Sequence, residues 1–234
     1  RATTCIECEH KFEYEPVPLL GGREFPAPLR CVGCSRDAEE RAIRECERRI
    51  EVARESQWRA LCPPLYRRMS PENPLGTDPK RLPPELLERV LAWKPGPRGL
   101  ILRGPTRACK TRCMFLLMEK LHREGMRLAV FHGVERGFAH HYVIESGLFH
   151  GEQWLAQVAK KDAVLFDDLG KWKLTDGNEA ALSLLIEELV SSLKPVFITT
   201  NSGGKGLKDR MTLDRGDPLV ERLREFCDMI DCRK

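Results

Sequence analysis

The fold class this sequence predicts is α/β: a buried parallel sheet behind a small metal-bound N-terminal unit. Three observations carry it. From residue 99 onward, apolar runs of strand length alternate with helical stretches, the pattern of parallel strands joined by helical crossovers. One of these runs opens into a loop that ends in Lys-Thr, and a later one ends in two acids. Far upstream, four cysteines fall in two C-x-x-C pairs.

The cysteine pairs come first in the chain. Cys5-Ile6-Glu7-Cys8 and Cys31-Val32-Gly33-Cys34 are separated by 22 residues rich in proline and glycine. Thiolates at C-x-x-C spacing fit two corners of a tetrahedron, and two pairs complete a four-cysteine zinc site. Four protein ligands leave no open position for water, so the predicted zinc is structural. A unit of residues 1–35 is too small to build a sufficient core, and metal binding would fold it. An iron–sulfur or redox site is the alternative. The remaining six of the ten cysteines are scattered through helical or strand-like stretches, which argues for a reducing compartment rather than a disulfide framework. Cys46, Cys62, Cys113, Cys227 and Cys232 read as ordinary buried or half-buried side chains.

Residues 36–84 connect this unit to the rest. Over 36–60, Asp37–Arg41, Glu40–Arg44 and Glu45–Arg49 stand at i,i+4, and Ile43, Cys46, Ile50 and Ala53 form a narrow apolar seam. One amphipathic helix is predicted, as a strut or as a partner-binding surface. Seven prolines between 61 and 84 predict a linker or a wrapping segment. Pro84 suits the first position of a helix through Leu86, Leu87, Val90 and Leu91.

Residues 85–234 form the large domain. Strands are predicted at Gly99–Leu102, Arg127–Phe131, Ala163–Phe166 and Pro195–Thr199. Helices are predicted at Lys110–His122, Gln153–Lys160, Glu179–Leu193 and Leu219–Cys227. No apolar run approaches the roughly 18–20 residues of a membrane span, and a cytoplasmic protein is expected. Of 234 residues, 41% are hydrophobic, enough for a core, and the net charge of +4 permits nucleic-acid binding without arguing for it.

The chemistry centres on Gly104-Pro105-Thr106-Arg107-Ala108-Cys109-Lys110-Thr111, which follows a strand and opens a helix as the phosphate-loop pattern G-x-x-x-x-G-K-[ST] requires. Backbone N–H groups of such a loop cradle phosphate oxygens. Lys110 would reach the β- and γ-phosphates of ATP, and Thr111 would ligate Mg²⁺. Cys109 stands where glycine is expected, which narrows the backbone's approach to the phosphates. At a helix N-terminus beside Lys110 it is a candidate reactive thiol, and an inert small residue is the alternative. Asp167 and Asp168 end the strand Val164-Leu165-Phe166. Asp167 would hold Mg²⁺, and Asp168 would orient the attacking water. Asn201 follows Val196-Phe197-Ile198-Thr199-Thr200, where a polar side chain can set water against the γ-phosphate.

From about Asp78 to the end, the stretches LILRGPTRACKTR, DAVLFDDLG, KPVFITTN and DPLVERLREFCDMIDCR resemble the DnaC/IstB-like AAA+ ATPases, the helicase loaders and transposition helpers. The resemblance implies a three-layer AAA+ domain over 85–234 that binds and hydrolyses ATP and acts in DNA replication or transposition. Asn201 would be its sensor-1 residue. Arg222 would be an arginine finger acting on ATP held by a neighbouring subunit, so a homo-oligomer on ATP or DNA is implied. Arg233 weakly matches a terminal sensor-2 arginine, and the short tail beyond it leaves no helical lid of ordinary size. The implied partners are a replicative helicase or a transposase, with single-stranded DNA as a further ligand. The zinc module resembles a docking element for partner or DNA.

Two weaker signals remain. His132, His140, His141 and His150 suggest a second metal site, with packing as the alternative. Phe138, Tyr142, Phe149, Trp154 and Lys171-Trp172-Lys173 suggest single-stranded DNA contacts, again against packing or a solvated loop. Two functions stay open: an ATP-hydrolysing switch, or a scaffold that holds nucleotide weakly and works through its zinc module. Cys109 is the residue that favours the second.

Overall fold

The computed structural model describes residues 1–18, 24–132, 156–169, 176–209, 211 and 213–232. By packing, the chain divides into Arg1–Ser56 and Gln57–Lys234. In the first unit, β1 (Ala2–Thr4) and β2 (Lys11–Glu13) pair antiparallel, with Thr3 opposite Phe12. Helix α1 (Val32–Leu61) starts inside the second cysteine pair, four residues before the stretch the charge pattern indicates. Along it, Arg48 and Arg49 share the Glu45 carboxylate at 2.9 Å. Ile43, Cys46, Ile50 and Ala53 all stay exposed, so the apolar seam of α1 is a surface feature.

The second unit holds α2 (Pro84–Leu91), β3 (Gly99–Arg103), α3 (Lys110–Arg123), β4 (Leu128–His132), β5 (Ala163–Asp167), α4 (Asp176–Ser191), β6 (Val196–Thr200), α5 (Gly204–Lys208), α6 (Leu213–Phe226) and β7 (Cys227–Asp231). The strands form one sheet in the order β4-β5-β6-β3-β7, with every pairing parallel. Parallel sheets are covered on both faces, and two separate cores do so here. Leu102, Leu165, Phe197 and Ile230 pack with Met114, Phe115 and Leu117 of α3 and with Leu86 and Val90 of α2. Ile101, Val164, Phe166 and Ile198 pack with Leu182, Leu185 and Leu189 of α4 and Leu219 and Leu223 of α6. The strand residues thus alternate between the two faces.

Several elements differ from the sequence expectation. Helix α6 begins at Leu213, before Gly216 and Pro218, which read as breakers, and Cys227 belongs to a strand. That strand, β7, escapes a hydropathy reading because Cys-Asp-Met-Ile-Asp is an edge strand with exposed acids at Asp228 and Asp231 rather than an apolar run. Helix α5 has no counterpart in the sequence expectation either. Of the helix expected at Gln153–Lys160, residues 156–159 are helical and 153–155 lie outside the described residues.

The proline-rich stretch wraps along α3. Tyr66 stacks on Phe115 with centroids 5.0 Å apart and planes 5° from parallel. Arg68 Nε donates to the buried Glu119 carboxylate at 2.9 Å. Arg112 Nη1 donates to the fully buried Thr77 hydroxyl at 3.0 Å and to Leu65 O at 3.3 Å. These contacts tie α3 to the wrapping segment at Arg112, Phe115 and Glu119.

Candidate functional site

The C-terminal ends of β3, β5 and β6 and the N-terminus of α3 converge on one cavity of about 390 Å³. Thr106, Arg107, Ala108, Cys109, Lys110, Thr111, Asp168 and Asn201 line it, with Tyr66 and Arg112, two residues the motif does not single out. The loop is fixed at its start by a close approach: a Cβ on Gly104 would sit 2.2 Å from Cys232 O, so no larger residue fits there. Gly104 N donates to Thr200 O at 3.2 Å, and Cys232 N donates to Arg103 O at 2.6 Å, which brace the loop between β6 and the end of β7.

Lys110 is buried at 5% exposure and folded back on its own loop. Its Nζ donates to Gly104 O at 2.9 Å, Pro105 O at 2.8 Å and Asn201 Oδ1 at 2.7 Å. Thr111 Oγ1 donates to Asp167 Oδ1 at 2.9 Å, and Thr199 Oγ1 donates to the same oxygen at 2.6 Å. Thr199 Oγ1 in turn accepts from Asp168 N at 2.8 Å. One threonine hydroxyl thus fixes the acid pair at its first carboxylate and its second amide. His132, at the end of β4, brings Nδ1 within 3.5 Å of Asp167 Oδ2.

Cys109 adopts φ 58°, ψ 12°, and Arg107 adopts φ 69°. Both lie in the left-handed region, which costs a residue with a Cβ about 1–2 kcal/mol and glycine nothing. The glycine expected at Cys109 therefore has a backbone reason as well as a steric one. Arg107 is a second such position, and the motif gives no hint of it because that place is unspecified in the pattern. Asp168 is left-handed too, at φ 54°. Cys109 is half-buried, with Sγ 3.9 Å from Arg107 O.

The hydroxyl of Thr111 and the carboxylate of Asp167 are hard oxygen donors already adjacent, the set that suits Mg²⁺. Three cationic side chains, Arg107, Lys110 and Arg112, line the same cavity, so the arrangement fits a polyanion carrying a divalent cation. Arg222 is not part of this lining. Its guanidinium pairs with Glu187 of α4 at 3.3 Å. A separate cavity of about 230 Å³, lined by Ile101, Ile198, Val220 and Met229 among others, lies against α6, and Lys110 is not part of its lining.

In the first unit, the Sγ atoms of Cys5, Cys8, Cys31 and Cys34 all lie within 4.8 Å of one another, and those of Cys8 and Cys31 are 3.8 Å apart. Thiolates about 2.3 Å from a tetrahedral zinc stand about 3.8 Å apart, so the cluster has the dimensions of a zinc site. Backbone N–H groups of Cys8 and Cys31 lower the Cys5 thiol to about 6, while the neighbouring Cys8, Cys31 and Cys5 thiols push Cys34 upward. Four thiols this close cannot all ionise without a cation among them. Ile6 N donates to Leu29 O at 2.9 Å, joining the two cysteine-bearing turns. Glu7 pairs with Arg30 at 2.8 Å and with Arg41 at 3.2 Å. Among the described residues this is the one group of three or more metal-ligating side chains. Of the four histidines considered for a second site, only His132 is described. His140, His141, His150, the aromatics Phe138, Tyr142, Phe149 and Trp154, Lys171-Trp172-Lys173 and Arg233 lie outside the described residues.

The chain is similar to several solved structures. DnaI matches at 17% identity over 74% of this chain and 95% of its own, with a TM-score of 0.54. Replication initiator DnaA bound to AMPPCP and single-stranded DNA matches at 16% identity over 70% of this chain, with a TM-score of 0.54. AMPPCP-bound DnaA from Aquifex aeolicus matches at 16% identity over 69% of this chain, with a TM-score of 0.53. The match covers nearly all of the DnaI structure but 49% of each DnaA chain. At these identities the likeness shows the fold alone, a parallel α/β sheet with helices on both faces, in agreement with the fold class read from the sequence. No family model and no curated protein matches the sequence. No described helix is long and apolar enough to cross a membrane.

Proposed function

We propose that this chain is an ATP-binding and ATP-hydrolysing AAA+ protein that acts in DNA replication as a loader of a replicative helicase. The observation that carries the reading is the hydrogen-bonded cluster of Lys110, Thr111, Asp167 and Asn201, drawn from separate segments of the chain onto one cavity. DnaA, a neighbour in fold, is described with AMPPCP and single-stranded DNA bound, which supports nucleotide and DNA as ligands here.

In this reading Lys110 leaves Gly104 O, Pro105 O and Asn201 and turns to the β- and γ-phosphates. Loop N–H groups take the phosphate oxygens. Thr111 and Asp167 would hold Mg²⁺, which when bound neutralises charge on the phosphates. Asp168 holds and orients the attacking water, with its backbone pinned through Thr199. Asn201, freed from Lys110, sets that water against the γ-phosphate. Arg222 lies outside its own cavity and acts on ATP held by a neighbouring copy, so hydrolysis depends on protein concentration. The zinc unit docks the helicase or DNA. A transposase in place of the helicase uses the same chemistry.

A second reading, a scaffold that holds nucleotide weakly and works through its zinc unit, is favoured by the left-handed Arg107 and Cys109 where glycine would be unstrained. ATP hydrolysis measured with and without single-stranded DNA, beside Lys110→Ala, separates the two. The enzyme reading expects turnover that DNA alters and Lys110→Ala abolishes. Phosphate release no faster than that of the Lys110→Ala chain would leave the scaffold.

A further inference from the structure

In the sequence His132 stands out only as one of several histidines, and the phosphate-loop chemistry does not use it. The sheet places it. In the parallel pairing of β4 and β5, His132 is the register partner of Asp167, and parallel register partners project to the same face of the sheet. That is the α3 face, where Thr111 reaches Asp167. The imidazole lies against Phe115 of α3, with centroids 5.3 Å apart and planes 14° from parallel. Tyr66 of the wrapping segment follows at 6.5 Å and 18°. These rings hold the imidazole plane.

The two ring nitrogens have different surroundings. Nε2 is sealed from solvent and has no hydrogen-bond partner among the described residues. Nδ1 lies 3.5 Å from Asp167 Oδ2. An apolar side chain would pack on Phe115 equally well and would bury no unsatisfied nitrogen. The contact that gives an imidazole a purpose here is therefore the one to the carboxylate. Asp167 Oδ1 is held by the hydroxyls of Thr111 and Thr199, so His132 acts on the other oxygen of the same group.

We infer that His132 is a positioning residue that orients the Asp167 carboxylate for its divalent cation, acting from β4 on the oxygen that the two threonines do not hold. The inference rests on reading Asp167 as a Mg²⁺ ligand. It adds a partner outside the phosphate-loop and acidic-strand motifs, and it links the wrapping segment to the metal through the rings of Tyr66, Phe115 and His132.

The test is binding of mant-ADP by the full chain, titrated with MgCl₂ and compared with EDTA. His132→Leu keeps the packing on Phe115 and removes the ring nitrogen that lies beside Asp167. It should raise the Mg²⁺ midpoint roughly 10-fold, as loss of an outer partner of a metal ligand does, and leave affinity in EDTA unchanged. His132→Asn places an amide near the Nδ1 position and should keep the parent midpoint. His132→Gln places it near Nε2 and should not. This Asn–Gln pair decides the matter even if His132→Leu fails to fold. Equal midpoints for Asn and Gln, or a His132→Leu chain that titrates like the parent, would overturn the inference. A parent chain whose mant-ADP binding ignores Mg²⁺ would remove the metal reading of Asp167 itself. A Mg²⁺-dependent parent with unshifted variants would remove His132 alone.

Discussion

Residues 1–56 and residues 57–234 hold their folds by different physics. In the first unit Cys5 is the one fully buried apolar side chain among the described residues, while Ile6, Val17, Phe25, Leu29 and Val32 are all more than half exposed. What brings its segments together is four sulfur atoms, a short two-stranded pairing with a few backbone hydrogen bonds, and a few exposed ion pairs. The second unit has an apolar core on each face of a five-stranded sheet and no need of a metal to close it. The difference teaches where to look in a sequence. Ligand spacing carries the information where burial is absent, and hydropathy carries it where burial is extensive.

Metal removal should separate the two units most sharply. Zinc binding to small cysteine sites is worth about 10–16 kcal/mol in apparent free energy, far more than 56 residues without a core supply. A strong chelator should therefore unfold the first unit and leave the second. Amide exchange mapped by peptide is the measurement: residues 1–18 and 24–31 lose protection, and β3, β5 and β6 keep theirs. Metal analysis that finds iron or nothing would break the comparison at its base.

Next in size is a core truncation. Leu102 is fully buried in β3, so Leu102→Ala should cost about 2–5 kcal/mol, seen as a lower denaturant midpoint for the second unit. The zinc content should not change. A loss of zinc in this variant would show that the units are not independent.

Cys109→Gly acts on the phosphate loop of the second unit. Glycine at φ 58° relieves about 1–2 kcal/mol of backbone strain, and it restores the approach to phosphate. The expected results are a higher melting temperature and tighter ATP binding. Unchanged stability would mean that the loop relaxes to another conformation when nucleotide is absent.

The smallest effect concerns thiol reactivity. Burial pushes Cys113 and Cys227 up to about 12, so at pH 8 both stay protonated and should label far more slowly than the exposed Cys46. Because their folded-state values lie above the ordinary value of 9.0, these two thiols keep more protons folded than unfolded between pH 9 and 12. Stability should fall as pH rises through that window. Rapid labelling of Cys113 at pH 8 would contradict the packing of α3 on the sheet.

Much of this was legible in the sequence, for identifiable reasons. Strands β3, β5 and β6 are central and apolar, and their ends carry Lys-Thr, Asp-Asp and Asn, so pattern and chemistry coincide. Strand β7 is an edge strand with two exposed acids, and α6 runs through Gly216 and Pro218, so local signals point away from both. Cys109 stands out because a motif assigns that place to glycine. Arg107 does not, since left-handed backbone at an unspecified loop position leaves no mark in composition. Tyr66 and His132 reach the site through tertiary packing across 45 and 35 residues to Thr111 and Asp167, distances that no local pattern records.

On the proposed function, the cavity at the ends of β3, β5 and β6 holds ATP with Mg²⁺. A crystal structure of the chain with AMPPNP and Mg²⁺ tests it most directly. The expected structure has Lys110 Nζ withdrawn from Gly104 O, Pro105 O and Asn201 and bonded to the β- and γ-phosphates, with the cation bound by Thr111 and Asp167. A nucleotide seated elsewhere, or Lys110 still on Gly104 O, Pro105 O and Asn201 Oδ1 beside a bound nucleotide, would contradict it.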